Sequence, residues 1–597
     1  MIIRRTILTS VNVVLLAMIG IVLWPSMDKT WRAFAADTQE AADTILINGK
    51  IITVDAKDSI ASAVAIRGGK IVAVGTNEEI RKFEKKGTRV IDLRGKTATP
   101  GLIDSHCHFD ESSLLYEIDL SGVKSIAEAV ELVRKKSAQV KPGEWVLGRG
   151  WDESKLAELR YIHAADLDKV SPLNPVWLGH TTGHYGVANS VALRMAKVTQ
   201  ETRNPEAGTI DRNEQGDATG VLKEAAMEMV DSLIPPLTHE QKRNGLLKMM
   251  ADFNSEGMTA AKDPGIDPER WEIYHELLKE NKSTVRIFAL LLGGRTMESA
   301  RNTLARLQKE PRPPQSIGDG MLFAGGVKMF MDGSGGGRTA WLYDPWFQKK
   351  TELEAGNTGY PALDPQEYQQ IVRLFHGAGI HVSTHAIGDR AIDWVVDTYA
   401  EVLREKPTKG LRHGIIHCNI PTDHAIDTMA RLEREYDAGY PELQAPFLWW
   451  IGDTYAGTFG EKRDLRLIPL KTFSAKGIVW GGGSDYPVTP FPARYGLWSS
   501  VERETLKGVY GAQPFGTAEA VDMHIALKSY TIWAAHQLFL EQRTGSIEAG
   551  KDADIAVWDR DPYTARPEEV KEMKCELTLL RGKIVYQAEK GMAAVQH

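Results

Sequence analysis

The sequence predicts an α/β protein: a large parallel βα domain of the barrel type, carrying a small sheet assembled from both chain ends. Three observations point there. Short apolar strands alternate with helical stretches through the middle of the chain, at 327–330, 365–377, 381–385, 390–404 and 415–417, which is the rhythm of parallel βα units. The two ends share a different texture, β-rich segments punctuated by glycine turns. A length of 597 residues exceeds one ordinary core, so one large domain and a smaller one are expected.

Taken in order, the chain opens on Arg4 and Arg5, an apolar run over 11–25, and Ala33-Phe34-Ala35 ahead of Ala36. Residues 1–36 read as an export signal or a membrane anchor, because the run, extended by Ile7 and Leu8, approaches the roughly 20 residues of a spanning helix. Cleavage after Ala35 and retention as an anchor are both open. The twin arginines point to the route for prefolded proteins. The expectation is an exported protein, periplasmic or held at the membrane by this segment alone, with a polar linker over 37–43 behind it. Hydrophobic and charged contents of 43% and 25% mark the remainder as a folded globular chain, and a net charge of −7 leaves no footprint for nucleic acid. Three cysteines, Cys107, Cys418 and Cys575, with no Cys-x-x-Cys, exclude a disulfide framework and a zinc knuckle. They read as small buried hydrophobes.

Residues 44–74 alternate apolar segments with glycine turns, and the same texture returns at 545–558 and 580–586. Residues 37–98 and 545–590 are therefore expected to form one composite domain, with the barrel over 99–544 inserted between them. Around 148–227 the βα rhythm is broken by loop-rich sequence such as Asn174-Pro175 and Gly216-Asp217-Ala218-Thr219-Gly220, which reads as an insertion over the barrel mouth.

Chemistry enters at Thr99-Pro100-Gly101-Leu102-Ile103-Asp104-Ser105-His106-Cys107-His108, a Pro-Gly turn and an apolar run ending in a His-x-His pair. It reads as a strand delivering metal ligands: alternation sends His106 and His108 to one side and Cys107 to the other. Imidazole suits zinc and similar divalent ions. Four later positions each end an apolar run: Lys328 after Gly326-Val327, His385 in Val382-Ser383-Thr384-His385, His417 after Ile415-Ile416, and Asp485 in Gly483-Ser484-Asp485-Tyr486-Pro487. The ends of strands are where a βα barrel keeps its chemistry. A buried lysine tends to lose its proton, and a neutral amine can take up carbon dioxide as a carbamate able to bridge two cations. Gly333-Ser334-Gly335-Gly336-Gly337-Arg338-Thr339 lacks the Gly-Lys-Ser/Thr ending of a nucleotide phosphate loop and reads as a mobile strand-to-helix connection over the site. Arg338 within it offers a partner for a carboxylate. Phe447, Trp449, Trp450, Tyr455 and Phe459 read as lining of an aromatic pocket or as barrel packing. His180, His376, His381 and His413 read as structural, although alternation leaves His413 on the face of His417.

In the order and number of these motifs the sequence resembles the amidohydrolase superfamily, and within it the amidohydrolase-3 or YtcJ-like group related to N-substituted formamide deformylases. The likeness runs through the His-x-His segment, Arg149-Gly150-Trp151-Asp152-Glu153-Ser154, Gly183-His184 with Asn189-Ser190, 328–340, 385–389, 412–417, 483–488 and the closing 545–554. It implies a distorted (β/α)8 TIM-like barrel with a β-sandwich built from both chain ends. It also implies that His106, His108 and Asp485 hold one metal ion and His385 and His417 another, with a carboxylated Lys328 between them; the cofactor is one or two divalent ions, zinc first among them. Leu443-Gln444-Ala445-Pro446 departs from the Val-Gln-Pro pattern usual in the group, which bears on the substrate.

The reaction so implied is hydrolysis of a non-peptide carbon–nitrogen bond in a small molecule, most directly a linear amide or an N-acyl or N-formyl compound. A bound divalent ion lowers the pKa of its water from about 15.7 towards about 7 and polarises the carbonyl, so the nucleophile expected is a metal-bound hydroxide. Asp485 takes the proton of the nucleophile and passes it to the leaving nitrogen. His184 holds or polarises the substrate carbonyl, with Asn189 near it and Arg338 completing the substrate-binding set. Cyclic amides, deamination and lactones are alternatives within the same chemistry, and a non-catalytic metal-stabilised binding protein is the rival of a different class. A homo-oligomer is compatible with the sequence.

Overall fold

Eight strands of one parallel sheet run in spatial order through the chain: β1 (Leu102–Asp104), β2 (Met258–Ile266), β3 (Arg286–Leu292), β4 (Leu322–Phe330), β5 (Val382–Ala386), β6 (Gly414–His417), β7 (Tyr440–Leu443) and β8 (Gly481–Gly482). The computed structural model that shows them describes residues 40–349, 352–353, 356–455, 457–506 and 516–589. Each neighbouring pair is parallel, from β1 with β2 to β7 with β8. The sheet curls until its ends meet: Ser105 donates its N–H to Gly482 O at 2.9 Å and Asp485 donates to His106 O at 2.7 Å, a nearly closed barrel. Strands buried on both faces must be apolar nearly throughout, and β4, Leu-Phe-Ala-Gly-Gly-Val-Lys-Met-Phe, is buried up to its last residue. Gly326 in it has φ +143°, and a Cβ there would collide with the carbonyl of His381, so β4 and β5 pack with no room for a side chain.

Amphipathic helices cover the barrel. Pro365–Gly377 starts at Asp364, whose carboxylate accepts the N–H groups of Gln366 and Glu367, and buries Tyr368, Ile371, Val372 and Phe375 at helical spacing. Asp389–Glu405 follows β5, and Asp423–Tyr436, capped by Thr422, follows β6. These crossovers keep the C-terminal strand ends at one face.

Strands from both chain ends pair directly. Lys50–Ile52 and Thr97–Pro100 lie in one six-stranded sheet with Ile555–Trp558, Cys575–Leu580 and Lys583–Gln587, in the register Ile555 to Pro100. A four-stranded sheet of Thr44–Ile47, Ala63–Arg67, Lys70–Gly75 and Arg89–Asp92 shares an apolar core with it, in which Leu46, Val64 and Ile66 join Ile555, Val557 and Leu577. Arg286 of β3 ties this part to the barrel, donating from Nε to Asp554 at 2.8 Å and from Nη2 to Asp552 at 2.9 Å.

A separate six-stranded sheet interrupts the barrel between β1 and β2: Ile118–Asp119, Val146–Trp151, Val176–His180, Tyr185–Ala188, Ala218–Glu224 and Gly208–Arg212. It begins before the break in rhythm at 148, because Ile118–Asp119 pairs in parallel with Val146–Trp151. Its end reaches the barrel loops, where Thr181 donates from Oγ1 to Val488 O at 3.1 Å. The export or anchor segment over 1–36 lies outside the described residues. Among the described residues, no helix is long and apolar enough to cross a membrane.

Candidate metal centre

β1 stops at Asp104, so the His-x-His pair sits just beyond the strand rather than within it. The backbone there is still held on both sides: Cys107 N–H bonds Lys262 O at 3.0 Å and His108 N–H bonds Tyr486 O at 3.0 Å. Asp104 staples this turn to the loop after β8, its carboxylate accepting from His106 N–H at 2.9 Å and Ser484 Oγ–H at 2.6 Å. Burial pushes the Asp104 carboxyl up to about 7 against those hydrogen bonds. Both imidazoles then converge on one oxygen: His106 Nε2 lies 3.2 Å and His108 Nε2 3.3 Å from Asp485 Oδ1. Asp485 has φ 55° and His417 φ 70°, left-handed conformations that side chains rarely adopt and that cluster at functional sites.

His106, His417 and Asp485 place one ligand atom each within 4.8 Å of one another, and all three are buried. His385 joins through His417, with Nδ1 3.0 Å from His417 Nε2. The outer nitrogens decide what this contact is. His385 Nε2 lies 2.9 Å from Gly333 O, which can only accept, so Nε2 carries the hydrogen. His417 Nδ1 lies 2.7 Å from Gln444 Oε1, and the Gln444 amide is oriented by donating from Nε2 to Glu442 O at 3.1 Å, so Nδ1 carries the hydrogen of His417. The two inner nitrogens therefore face each other with bare lone pairs, an arrangement that calls for a cation between them. His106 Nε2 and Asp485 Oδ1 are likewise buried without a hydrogen bond of good geometry. The residues fit a divalent ion.

Lys328, near the end of β4, is 2% exposed, and burial lowers its pKa to about 8 even though Asp485 and Glu442 favour the cation. Burial depresses His108, His385 and His417, and the Lys328 charge adds to that in each. Asp485 is held well below the usual carboxylate range: burial raises it, but His106, His108 and His417 outweigh burial.

Of the substrate-binding candidates, the structure brings His184 to the centre. Its ring lies 5.2 Å from that of His385, and Glu224 Oε2 accepts from Nδ1 at 3.0 Å. Burial lowers the His184 pKa, but Glu224, with Asp485 and Asp332 behind it, raises it overall. Asn189 is a correction. It is wholly buried; Oδ1 caps the helix Ser190–Met195 through Ala192 N–H and accepts from Val176 N–H, while Nδ2 donates to Ser171 O and Asn174 O, all at 3.0 Å. No hydrogen-bonding capacity is left for a substrate. Arg338 has φ 54° and is partly exposed. Its loop is packed rather than mobile: Ser334 N–H bonds Thr339 Oγ1 and Gly337 N–H bonds Ser334 Oγ, both at 2.9 Å, and Thr339 Oγ1 donates to Glu224 at 2.5 Å.

Phe447 stacks on His417 with centroids 5.6 Å apart, and Tyr455 lies close enough to Asp485 for that charge to help raise its phenol, whereas Trp449 packs against Tyr495 and Trp498. His413 belongs to the opposite end of β6, where His376 Nδ1 meets its Nε2 at 3.0 Å. Cys107 and Cys418 are free and buried.

The model of the amidohydrolase family matches residues 89–586. The chain belongs to that family. This amidohydrolase is 29% identical to the N-substituted formamide deformylase of Arthrobacter pascens over 91% of its length and 98% of the relative, and 26% identical to the putative amidohydrolase YtcJ of Bacillus subtilis (strain 168) over 90% and 98%. Among solved structures it resembles an uncharacterized metal-dependent hydrolase from Pyrococcus horikoshii OT3, with a TM-score of 0.67 and 25% identity over 88% of this chain and 99% of that one. It is a hydrolytic enzyme with a metal-dependent hydrolase fold.

Sequence reasoning missed three residues of this amidohydrolase's centre, Glu224, Lys262 and Glu442, and met Gln444 only within a motif read for the substrate. Glu442 and Lys262 are wholly buried, with Lys262 Nζ 2.9 Å from Glu442 Oε1 and Glu442 Oε2 3.6 Å from His106 Nδ1. The one signal available was a charge set inside an apolar strand run, as in Met-Thr-Ala-Ala-Lys-Asp and Tyr-Pro-Glu-Leu.

Proposed function

We propose that this enzyme hydrolyses a non-peptide carbon–nitrogen bond in a linear amide or an N-acyl or N-formyl compound, using one or two divalent ions, zinc first among them. The facing lone pairs of His385 and His417 carry the metal half of the reading. The likeness to a formamide deformylase along nearly the whole chain supports the substrate half. A bound divalent ion supplies a Lewis acid for the carbonyl and a water of lowered pKa.

The chain's own residues do the rest. His106, His108, His385 and His417 would hold the metal, with Asp485 between the first pair. Asp485, anionic and 3.2–3.3 Å from two imidazoles, receives the proton of the nucleophile and returns it to the nitrogen, which leaves poorly as an amide anion. His184, with Nδ1 engaged by Glu224, turns Nε2 to the carbonyl oxygen. Lys328, with its pKa lowered to about 8, is partly neutral near pH 8. Its Nζ can add to carbon dioxide, forming an N–C bond and releasing a proton, and the resulting carbamate would offer an anionic ligand to a bound divalent ion. A mass gain of one carbon dioxide on intact protein, absent in Lys328→Met, tests that step. Residues 1–36 are proposed to direct export; their deletion should shift the protein between cell fractions, and an unchanged location would refute this.

The deciding experiment is amine release by metal-loaded protein across formamides, N-acyl amino acids and cyclic amides, run beside Asp485→Asn. A linear amide cleaved by the wild type and spared by the variant is expected. Silence on linear amides with metal bound would overturn the substrate reading, and full activity after metal removal would overturn the metal reading.

A further inference from the structure

β7 contributes none of the candidate ligands, yet Glu442 within it and Gln444 one residue past its end, both wholly buried, reach the centre. We propose that β7 is the positioning strand of the centre, with Gln444 orienting His417 and Glu442 orienting His106 so that each imidazole presents Nε2, a role that presupposes the metal reading above. For Gln444 the contact is direct, 2.7 Å from Oε1 to His417 Nδ1, and the amide cannot turn over without losing its own bond to Glu442 O.

For Glu442 the two carboxylate oxygens do different things. Oε1 is held by Lys262 Nζ at 2.9 Å and by Ser383 Oγ–H at 2.6 Å, and Ser383 Oγ lies 2.9 Å from His381 Nε2. Oε2 points to His106 Nδ1 at 3.6 Å, and both of these atoms are buried with no hydrogen bond to any other described group. A pair that only balanced the charge of Lys262 would not need that second oxygen aimed at a histidine. Space for the carboxylate is built in: a Cβ on Gly414 of β6 would collide with Glu442 Oε1 and sit 2.6 Å from Ser383 Oγ. A carboxylate oxygen 3.6 Å from Nδ1 is too far for a hydrogen bond but favours the hydrogen on that nitrogen electrostatically, which leaves the lone pair on Nε2, 3.2 Å from Asp485. Gln444 does the same for the histidine on the other side. β7 and the residue that follows it thus serve both halves of the centre.

The test is Co2+ binding to the full chain, read by competition with a chromophoric chelator and by the visible absorption of the bound ion. Variants are Gln444→Met, Glu442→Gln and the double Glu442→Gln/Lys262→Met, in which loss of the lysine restores charge balance; unfolding midpoints are recorded alongside. Expected are about 10–100-fold weaker Co2+ binding and a changed absorption band in Glu442→Gln, persisting in the double variant, with a loss of similar size in Gln444→Met. A double variant that regains wild-type affinity and spectrum would show that Glu442 only balances Lys262 and would overturn its positioning role. Wild-type behaviour of Gln444→Met would overturn the role of Gln444. A wild-type chain that binds neither Co2+ nor Zn2+ would overturn the metal reading itself, and this is seen before any variant is made.

Discussion

Two buried charge clusters in the same barrel behave in opposite ways. At the junction with the end sheets, Arg286 donates to Asp554, Asp552 and Gly320 O, Lys70 reaches Asp552 at 2.8 Å, and Arg581 N–H reaches Asp554 at 2.8 Å. None of the side-chain atoms of Arg286, Asp552 or Asp554 is left buried without a partner. At the metal centre, His106 Nδ1 and Nε2, Lys262 Nζ, Glu442 Oε2 and Asp485 Oδ1 are all buried and lack a well-formed hydrogen bond. Burial and charge are common to both clusters; the deficit of partners belongs to one. A native fold leaves such groups orphaned where something else completes them, so the deficit marks the working site and saturation marks the scaffold.

Substitutions at the two clusters should separate activity from stability. The largest effect is expected from Asp485→Asn, which should lower the turnover of amine release about 10²–10⁴-fold while moving the unfolding midpoint little, because it removes a proton carrier. A fall of less than tenfold would show that another group carries the proton. Arg286→Met should do the reverse. It removes the cation that Asp552 and Asp554 share, leaving Lys70 and the Arg581 N–H among their remaining partners, and costs up to about 3–5 kcal/mol in denaturant unfolding, with kcat and KM of the folded fraction unchanged. Loss of turnover without loss of stability would erase the contrast.

Smaller effects sharpen it. Asn189→Ala removes a helix cap and three further hydrogen bonds and should cost at least about 0.5–2 kcal/mol, leaving KM unchanged; a raised KM would restore the substrate role that the hydrogen bonds deny to Asn189. The junction also has a pH signature. Burial pushes the Asp552 carboxyl up, but Lys70, Arg286 and Arg543 outweigh it and hold the pKa below its ordinary value. A carboxyl depressed in the folded state contributes fully above its unfolded pKa of about 3.9 and loses that contribution as pH falls through the folded value. The unfolding midpoint should therefore drop below about pH 4, less steeply in Asp552→Asn; equal slopes would mean that the junction does not contribute.

Much of this was written locally. The helix Pro365–Gly377 lies where its apolar spacing and Asp-Pro start put it, and β4, β5 and β6 fall on the apolar runs that end near Lys328, His385 and His417. The looseness expected of 333–339 did not survive, because these seven glycine-rich residues pack tightly once Ser334 and Thr339 close bonds across the turn. The substrate role read for Asn189 fails because a cap and a substrate contact use the same side-chain atoms, and residues along the chain do not show which of the two they make.

The sequence by itself determined the kinds of group available and their place along the strands, because period-two and βα patterns are properties of consecutive residues. It also determined which residues could ligate, since imidazole, carboxylate and amine are chemistry carried by single side chains. Only the tertiary structure decided the partners. Whether Glu442 faces His106, Gln444 faces His417 or Glu224 faces His184 depends on which strand lies beside which, and on the space left by Gly414, none of which is written within a few residues of either partner.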